Sequence, residues 1–116
     1  MGVTRTKAIV LGLALQLAAV AALAQGPEQY VPDQPVGMVN DFANLVDPAS
    51  KAAMEDLLVR LRGASGAEVA VVTLPTVGDR DASEVALAIG RKWGIGLKAD
   101  VGDQRRNAGA VILLVP

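Results

Sequence analysis

Apolar positions along this chain change their spacing several times, and each spacing predicts an element. Met54, Leu57, Leu58 and Leu61 fall at i, i+3, i+4 and i+7, which is one face of a helix. Asp47-Pro48 marks its start, because Asp caps free amides and Pro is tolerated at the first helical position, and Gly63 reads as its end. Glu55, Arg60 and Arg62 fall off the apolar stripe and read as a solvated face. From Glu68 to Leu74 the pattern becomes a β-branched run closed by Pro75, the signature of a strand buried on both sides. Asp81 then caps a second helix, with Glu84 completing an Asp version of the capping box. Val85, Ile89 and Trp93 recur every four residues along it until Gly94, and Trp93 reads as a core anchor. Gly109 to Val115 gives a further apolar strand, expected to be fully buried.

Strand, helix and strand in this order make a βαβ unit, with parallel strands and a right-handed crossover. The expected fold class is therefore α/β, a βαβ-containing sheet flanked by helices as an α/β/α sandwich. Parallel strands need cover on both faces, and the layer that would cover the last strand is missing from the sequence. The expectation is a truncated domain, the first part of a longer one.

The front of the chain has a different pattern. Arg5 and Lys7 precede Ala8 to Ala24, an apolar run interrupted by Gln16, with no charge until Glu28. A positive start, an apolar stretch and the small-x-small ending Ala22-Leu23-Ala24 are the layout of a leader peptide cut after Ala24. An uncleaved anchor is the alternative, since the run approaches the roughly 20 residues that cross a hydrocarbon core, but its alanine content and its ending favour processing. Residues 25–35 hold three prolines with Gly26, Gln29 and Gln34 and are expected to be an extended tether; the domain is expected over 36–116.

Charge and composition narrow the function classes. Loss of Arg5 and Lys7 from eleven basic residues leaves nine against twelve acidic ones, a net charge of −3, which makes a poor nucleic-acid surface. The chain has no Cys and no His, which removes disulfides, Cys or His zinc sites, Cys nucleophiles and Ser-His-Asp triads. Ser50, Ser65 and Ser83 lie in no nucleophile elbow, and no phosphate-cradling Gly-Lys-Ser/Thr loop is present. What remains is carboxylate chemistry: oxygen ligands for calcium or magnesium, or general acids and bases.

Four stretches together resemble the TPM domain family: Val39-Asn40-Asp41-Phe42-Ala43-Asn44-Leu45-Val46, Gly66 to Thr73, Lys92-Trp93-Gly94-Ile95-Gly96, and Asn107 to Val115. The resemblance runs from Val39 to Val115 and covers about the first half of the family's domain. It implies a central sheet between helices, completed by an absent half that adds a strand and the closing helices. Members include a thylakoid-lumen protein associated with photosystem II repair and many secreted or membrane-anchored bacterial proteins, and the family's alternative name suggests an acid phosphatase. The chain departs from the family pattern in its long loop Lys98 to Arg106 and in Asn107-Ala108 before Gly109.

In open α/β sheets ligands bind beyond the carboxyl ends of the strands. The loop Pro75 to Asp81 lies there and carries Asp79 and Asp81; Asp41 approaches the same edge, and the resemblance marks it as the family's recurrent acid. Asp41 and Asp79 are the candidate metal ligands. Alternatively Asp41 bonds nearby backbone amides, Asp79 is a turn residue, and Asp81 caps its helix. Asp100-Val101-Gly102-Asp103 is a weak match to a calcium loop, and Arg105-Arg106 a weak phosphate site. Two functions survive: an exported, non-catalytic module that assists membrane complexes in the envelope, with calcium or magnesium bound, or a slow metal-dependent acid phosphatase. The expected partners are a membrane-protein complex or an envelope protein, with no nucleic acid, and the full domain is expected to be a monomer.

The leader reading gives a direct expectation. Protein recovered from the envelope begins at Gln25, and an intact mass that retains residues 1–24 would establish the anchor instead.

Overall fold

The computed structural model describes residues 26–96 and 108–116. Within them the order is a 3-10 turn at Pro27–Tyr30, β1 (Val39–Asp41), α1 (Pro48–Ser65), β2 (Glu68–Thr73), α2 (Ala82–Trp93) and β3 (Gly109–Leu114). The strands form one parallel sheet in the order β1-β2-β3. The α/β expectation therefore holds, and β2 and β3 pair in parallel as the strand-helix-strand pattern requires. The leader residues lie outside the described segments.

α1 begins as its sequence predicts: the Asp47 carboxylate accepts from the Ser50 amide at 2.9 Å, with Pro48 at the first helical position. It does not stop at Gly63. The helix runs on to Ser65 and ends at Gly66, whose φ of 75° places it in the left-handed region that glycine enters without steric cost. Gly63 lacks the positive φ that a terminating glycine supplies, and so remains one more helical residue.

β1 was not legible as a strand. Three residues are too few to show a period of two, yet Val39, Asn40 and Asp41 pair with Val71, Val72 and Thr73.

The core lies on one face of the sheet. Ala70 and Val72 of β2, with Leu74 just after it, meet Val85, Ala88 and Ile89 of α2, with Val111, Leu113 and Val115 alongside. Val85 and Ile89 are fully buried, and each contributes about 1.5–3 kcal/mol by leaving water. α2 closes at Gly94 as expected. Just beyond it, a Cβ built on Gly109 would lie 2.7 Å from the Gly96 amide nitrogen, so these two backbones can approach only because Gly109 has no side chain.

Residues 27–33 correct the tether expectation. They form a strap packed on α2: Val31 joins the core, Tyr30 packs against it, and the Trp93 indole N–H donates to the Pro32 carbonyl at 2.9 Å. Lys92 Nζ donates to the Val31 carbonyl at 3.3 Å and to Asp33 Oδ1 at 3.2 Å. Proline and polar content argued against burial over the whole segment, but Tyr30 and Val31 together suffice to anchor it.

The opposite face is sparsely covered. α1 packs against β1 and β2, and no residue of it is fully buried. Leu57 and Leu61 of the predicted buried stripe are 58% and 40% exposed, and Ile112 and Leu114 of β3 are 51% and 49% exposed. β3 is thus open on one side instead of buried on both. The chain by itself should therefore bind a hydrophobic dye and self-associate or melt without cooperativity, and Ile112→Lys with Leu114→Glu should reduce the association. A sharp melt of a dye-silent monomer would contradict this.

Candidate functional site

The carboxyl ends of the strands bring together Asp41, the last residue of β1, and Thr73, the last residue of β2, which are partners in the sheet register. The Thr73 hydroxyl donates to Asp41 Oδ1 at 2.6 Å and accepts from the Ala43 amide at 3.0 Å. Asp41 Oδ1 also accepts from the Leu45 amide and Oδ2 from the Val46 amide, both at 2.9 Å. Residues 41–46 are wound around this carboxylate. Asn44 takes a left-handed φ of 54° within the turn, a conformation Asn tolerates better than most residues.

Donors of this kind favour the charged form. The Thr73 hydroxyl first, then the Leu45 and Val46 amides, hold the Asp41 carboxyl below its ordinary value against a smaller opposing effect of burial, and the charge of Lys51 adds a still smaller lowering. The Ser50 hydroxyl and amide lower Asp47 in the same way, and the Ser83 amide and hydroxyl lower Asp81. A carboxylate offers about four lone-pair positions, and three of those on Asp41 are taken, both on Oδ1 and one on Oδ2. Among the described residues, nothing occupies the second position on Oδ2.

Asp79 lies exposed in the turn after β2, which is closed by the Arg80 amide donating to the Val77 carbonyl at 3.1 Å. Asp81 caps α2 through Ser83, while Glu84, expected to fold back as a box, lies 4.0 Å from Arg80. Among the described residues no three acidic side chains come together to hold a metal ion. Calcium takes six to eight oxygens, of which Asp41 and Asp79 could supply only part. Asp100 to Asp103 and Arg105-Arg106 lie outside the described residues.

Two polar side chains that fix the entry to β1 escaped the sequence reading. Glu55 is not a solvated residue: its carboxylate accepts from the Met38 amide at 2.9 Å and the Val39 amide at 2.7 Å. Asn40, fully buried, accepts from the Val36 amide at 2.7 Å and donates to the Gly37 and Val71 carbonyls. For Asn40 a signal existed, since a polar residue between Val39 and the acid of a short apolar segment needs partners. For Glu55 helical spacing held none, because its partners lie sixteen and seventeen residues away.

With this geometry in view, comparison with known proteins identifies relatives. The TPM domain family model matches residues 39–115. Among solved structures, the solution NMR structure of the N-terminal domain of a protein from P. gingivalis is similar at 35% identity and a TM-score of 0.55, covering 67% of this chain and 46% of that one. The chain thus spans about half the length of that neighbour. No match was found among curated proteins.

The amides that Glu55 holds should report its loss. Glu55→Ala is expected to speed hydrogen exchange at Met38 and Val39 by roughly thirtyfold, the equivalent of about 2 kcal/mol for two bonds to a charged acceptor. Asp41 should report through pH. Because its folded value is depressed, its contribution is present above the ordinary carboxylate value of 3.8 and is lost as pH falls through the lower folded value. Asp41→Asn should flatten that acid limb in a pH series of exchange protection across 41–46, and an unchanged limb would remove Asp41 from this role.

Proposed function

The chain belongs to the TPM domain family, and from that premise we propose that it is an exported, non-catalytic module that assists assembly or maintenance of membrane complexes in the envelope. The observation that carries this reading is the employment of Asp41. Phosphoryl transfer requires charge aimed at the reacting group, together with an oriented nucleophile. Here the acid at the carboxyl edge of the sheet spends three of its four lone-pair positions on a hydroxyl and two amides of its own chain. The Thr73 hydroxyl beside it is 1% exposed and engaged on both sides, as donor and as acceptor. Both groups serve to fix the turn after β1, which gives the sheet edge a defined shape for a protein partner.

The Ala22-Leu23-Ala24 ending and the basic start support the export part of the reading, with the mature chain facing the periplasm or the outer surface. A second reading, a metal-assisted acid phosphatase, draws on the Oδ2 position of Asp41 that no other described residue fills. Calcium or magnesium bound there would take one oxygen from Asp41, with Asp79 as the next candidate, and the remainder from carbonyls and water.

One pair of measurements separates the readings, made on a protein carrying a complete domain. We expect no turnover of a generic phosphomonoester above the uncatalysed rate, with or without millimolar calcium or magnesium, and a melting temperature that Asp41→Asn lowers to the same extent with and without calcium. Calcium at about 100 times its Kd would add roughly 2.7 kcal/mol to a domain that binds it. A calcium-dependent rise that Asp41→Asn abolishes, accompanied by turnover, would establish the metal-dependent enzyme.

A further inference from the structure

The strap of residues 27–33 is held to the domain by side chains. Among the described residues its backbone hydrogen bonds are internal, from the Gln29 amide to Gly26 and from the Val31 amide to Glu28, and no backbone–backbone bond joins it to the body. Val31, 5% exposed, enters the core cluster with Leu74 and Val77. Tyr30 packs against that cluster, and its hydroxyl fills the space that a side chain at Gly78 would need. Donors come from the last turn of α2: Trp93 Nε1 to the Pro32 carbonyl, and Lys92 Nζ to the Val31 carbonyl and to Asp33. A segment with one buried side chain and no share in the sheet opens at far lower cost than the domain unfolds. The strap also precedes the family match, which starts at residue 39, whereas its seat lies inside it.

That seat reads carbonyls. Lys92 and Trp93 both present N–H donors, and both aim at peptide oxygens of the strap. Pro32 has no amide to leave unmet, and its ring favours extended backbone at the residue before it, where Val31 has φ −84° and ψ 118°. Side-chain donors beside an aromatic ring, facing the carbonyls of an extended proline segment, are the means by which grooves bind proline-containing peptides, which lose little entropy on docking. Charge agrees with this, since Lys92 meets the acid that follows the proline at 3.2 Å. We propose that the groove between α2 and the turn carrying Val77 and Gly78 is a peptide-binding site that the strap occupies in cis. Its partner is an extended segment of another protein that carries an aromatic residue, a β-branched apolar residue, proline and an acid in that order. The strap then acts as a tethered competitor at an effective concentration of about a millimolar. A partner segment binds only the open fraction of molecules, and its apparent affinity is reduced by that fraction. This site uses none of the groups at Asp41 and stands independently of the function proposed for that edge.

The probe is a synthetic peptide of residues 26–34 added to the full chain. Trp93 is the chain's single tryptophan and the peptide has none, so indole emission reports the groove. Tyr30→Ala with Val31→Ser releases the strap without altering its seat, and Trp93 emission should shift to the red. The peptide should reverse that shift saturably, with an apparent affinity at least about tenfold above that for the unaltered chain, whose groove is filled. Lys92→Gln in the released chain should weaken the peptide by about fivefold, the effect of one net hydrogen bond. A peptide bearing the same two substitutions should leave the emission shifted. Exchange protection in β2 equal to that of the unaltered chain shows that the released chain keeps its fold. If that protection is lost, the unaltered chain decides: peptide at about millimolar concentration should displace the strap and speed exchange of the Val31 amide, and unchanged exchange there overturns the proposal. A folded, released chain whose Trp93 emission ignores the peptide also overturns it, as does equal affinity of the released and unaltered chains.

Discussion

β1 is held in place by side chains to a degree unusual for a strand. It has three residues and one neighbouring strand, and the donors at its start are taken by the Glu55 carboxylate of α1. An unpaired backbone donor away from water costs about as much as a lost hydrogen bond, so a three-residue ladder could not retain two of them unmet. Glu55 meets both at once, and in doing so ties α1 to the sheet on a side where the helix has little apolar burial to hold it. Gly37 sits so close to this carboxylate that a Cβ there would lie 3.0 Å from Glu55 Oε1. The contact is therefore shaped by the backbone of residues 37–39 and by the acid together.

The same economy governs the carboxyl edge. Asn40 and Asp41 are neighbours in sequence and point to opposite sides of β1, as alternate strand residues must. Asn40 ties the incoming segment 36–37 to β2, and Asp41 ties the outgoing turn 43–46 to Thr73. Entry to and exit from the strand are both fixed by polar side chains whose bonding capacity is nearly filled. An acid in the position where open α/β sheets bind ligands thus spends three of about four lone-pair positions on its own chain.

What the sequence revealed and what it hid divide along a physical line. Local signals were legible: Asp47 and Asp81 cap their helices through nearby amides, and Val85 and Ile89 lie on one buried stripe. Each depends on residues within about one turn of itself. The features that escaped depend on contacts distant in the chain. The fate of Glu55 was decided by Met38 and Val39, that of Trp93's indole N–H by Pro32, and the packing of Val31 by the core around α2. Gly63 and Gly66 show the remaining limit. Either glycine could end a helix, and the choice fell on the one from which the chain could turn directly into β2, whose Glu68 amide meets the Ala108 carbonyl at 2.9 Å. As for the site, Asp41 was found at the expected edge and its alternative role as an acceptor for amides is what the geometry displays, whereas the hydroxyl of Thr73 had no local marker.

The unequal covering of the two faces follows from dimensions. A helix with its side chains is about 10 Å across and adjacent strands lie about 4.8 Å apart, so one helix covers roughly two strands of a sheet. Three strands therefore leave a gap beside a single helix on either face. On the α2 side the strap supplies what the helix cannot, with Tyr30 and Val31 joining the core beside it. On the α1 side the helix sits over β1 and β2, and the gap falls on β3, where Ile112 and Leu114 remain half exposed. β3 carries no charged residue and no proline within Gly109–Leu114 to discourage pairing. An apolar helix stripe and an unguarded strand on the same side are the surfaces that a further layer would bury. The similar domain from P. gingivalis, of which this chain spans 46%, has the additional length from which such a layer can be built. The partial burial of α1 is thus a consequence of sheet width and helix placement, and its apolar stripe, sound as a helical pattern, is left open by these three strands and two helices.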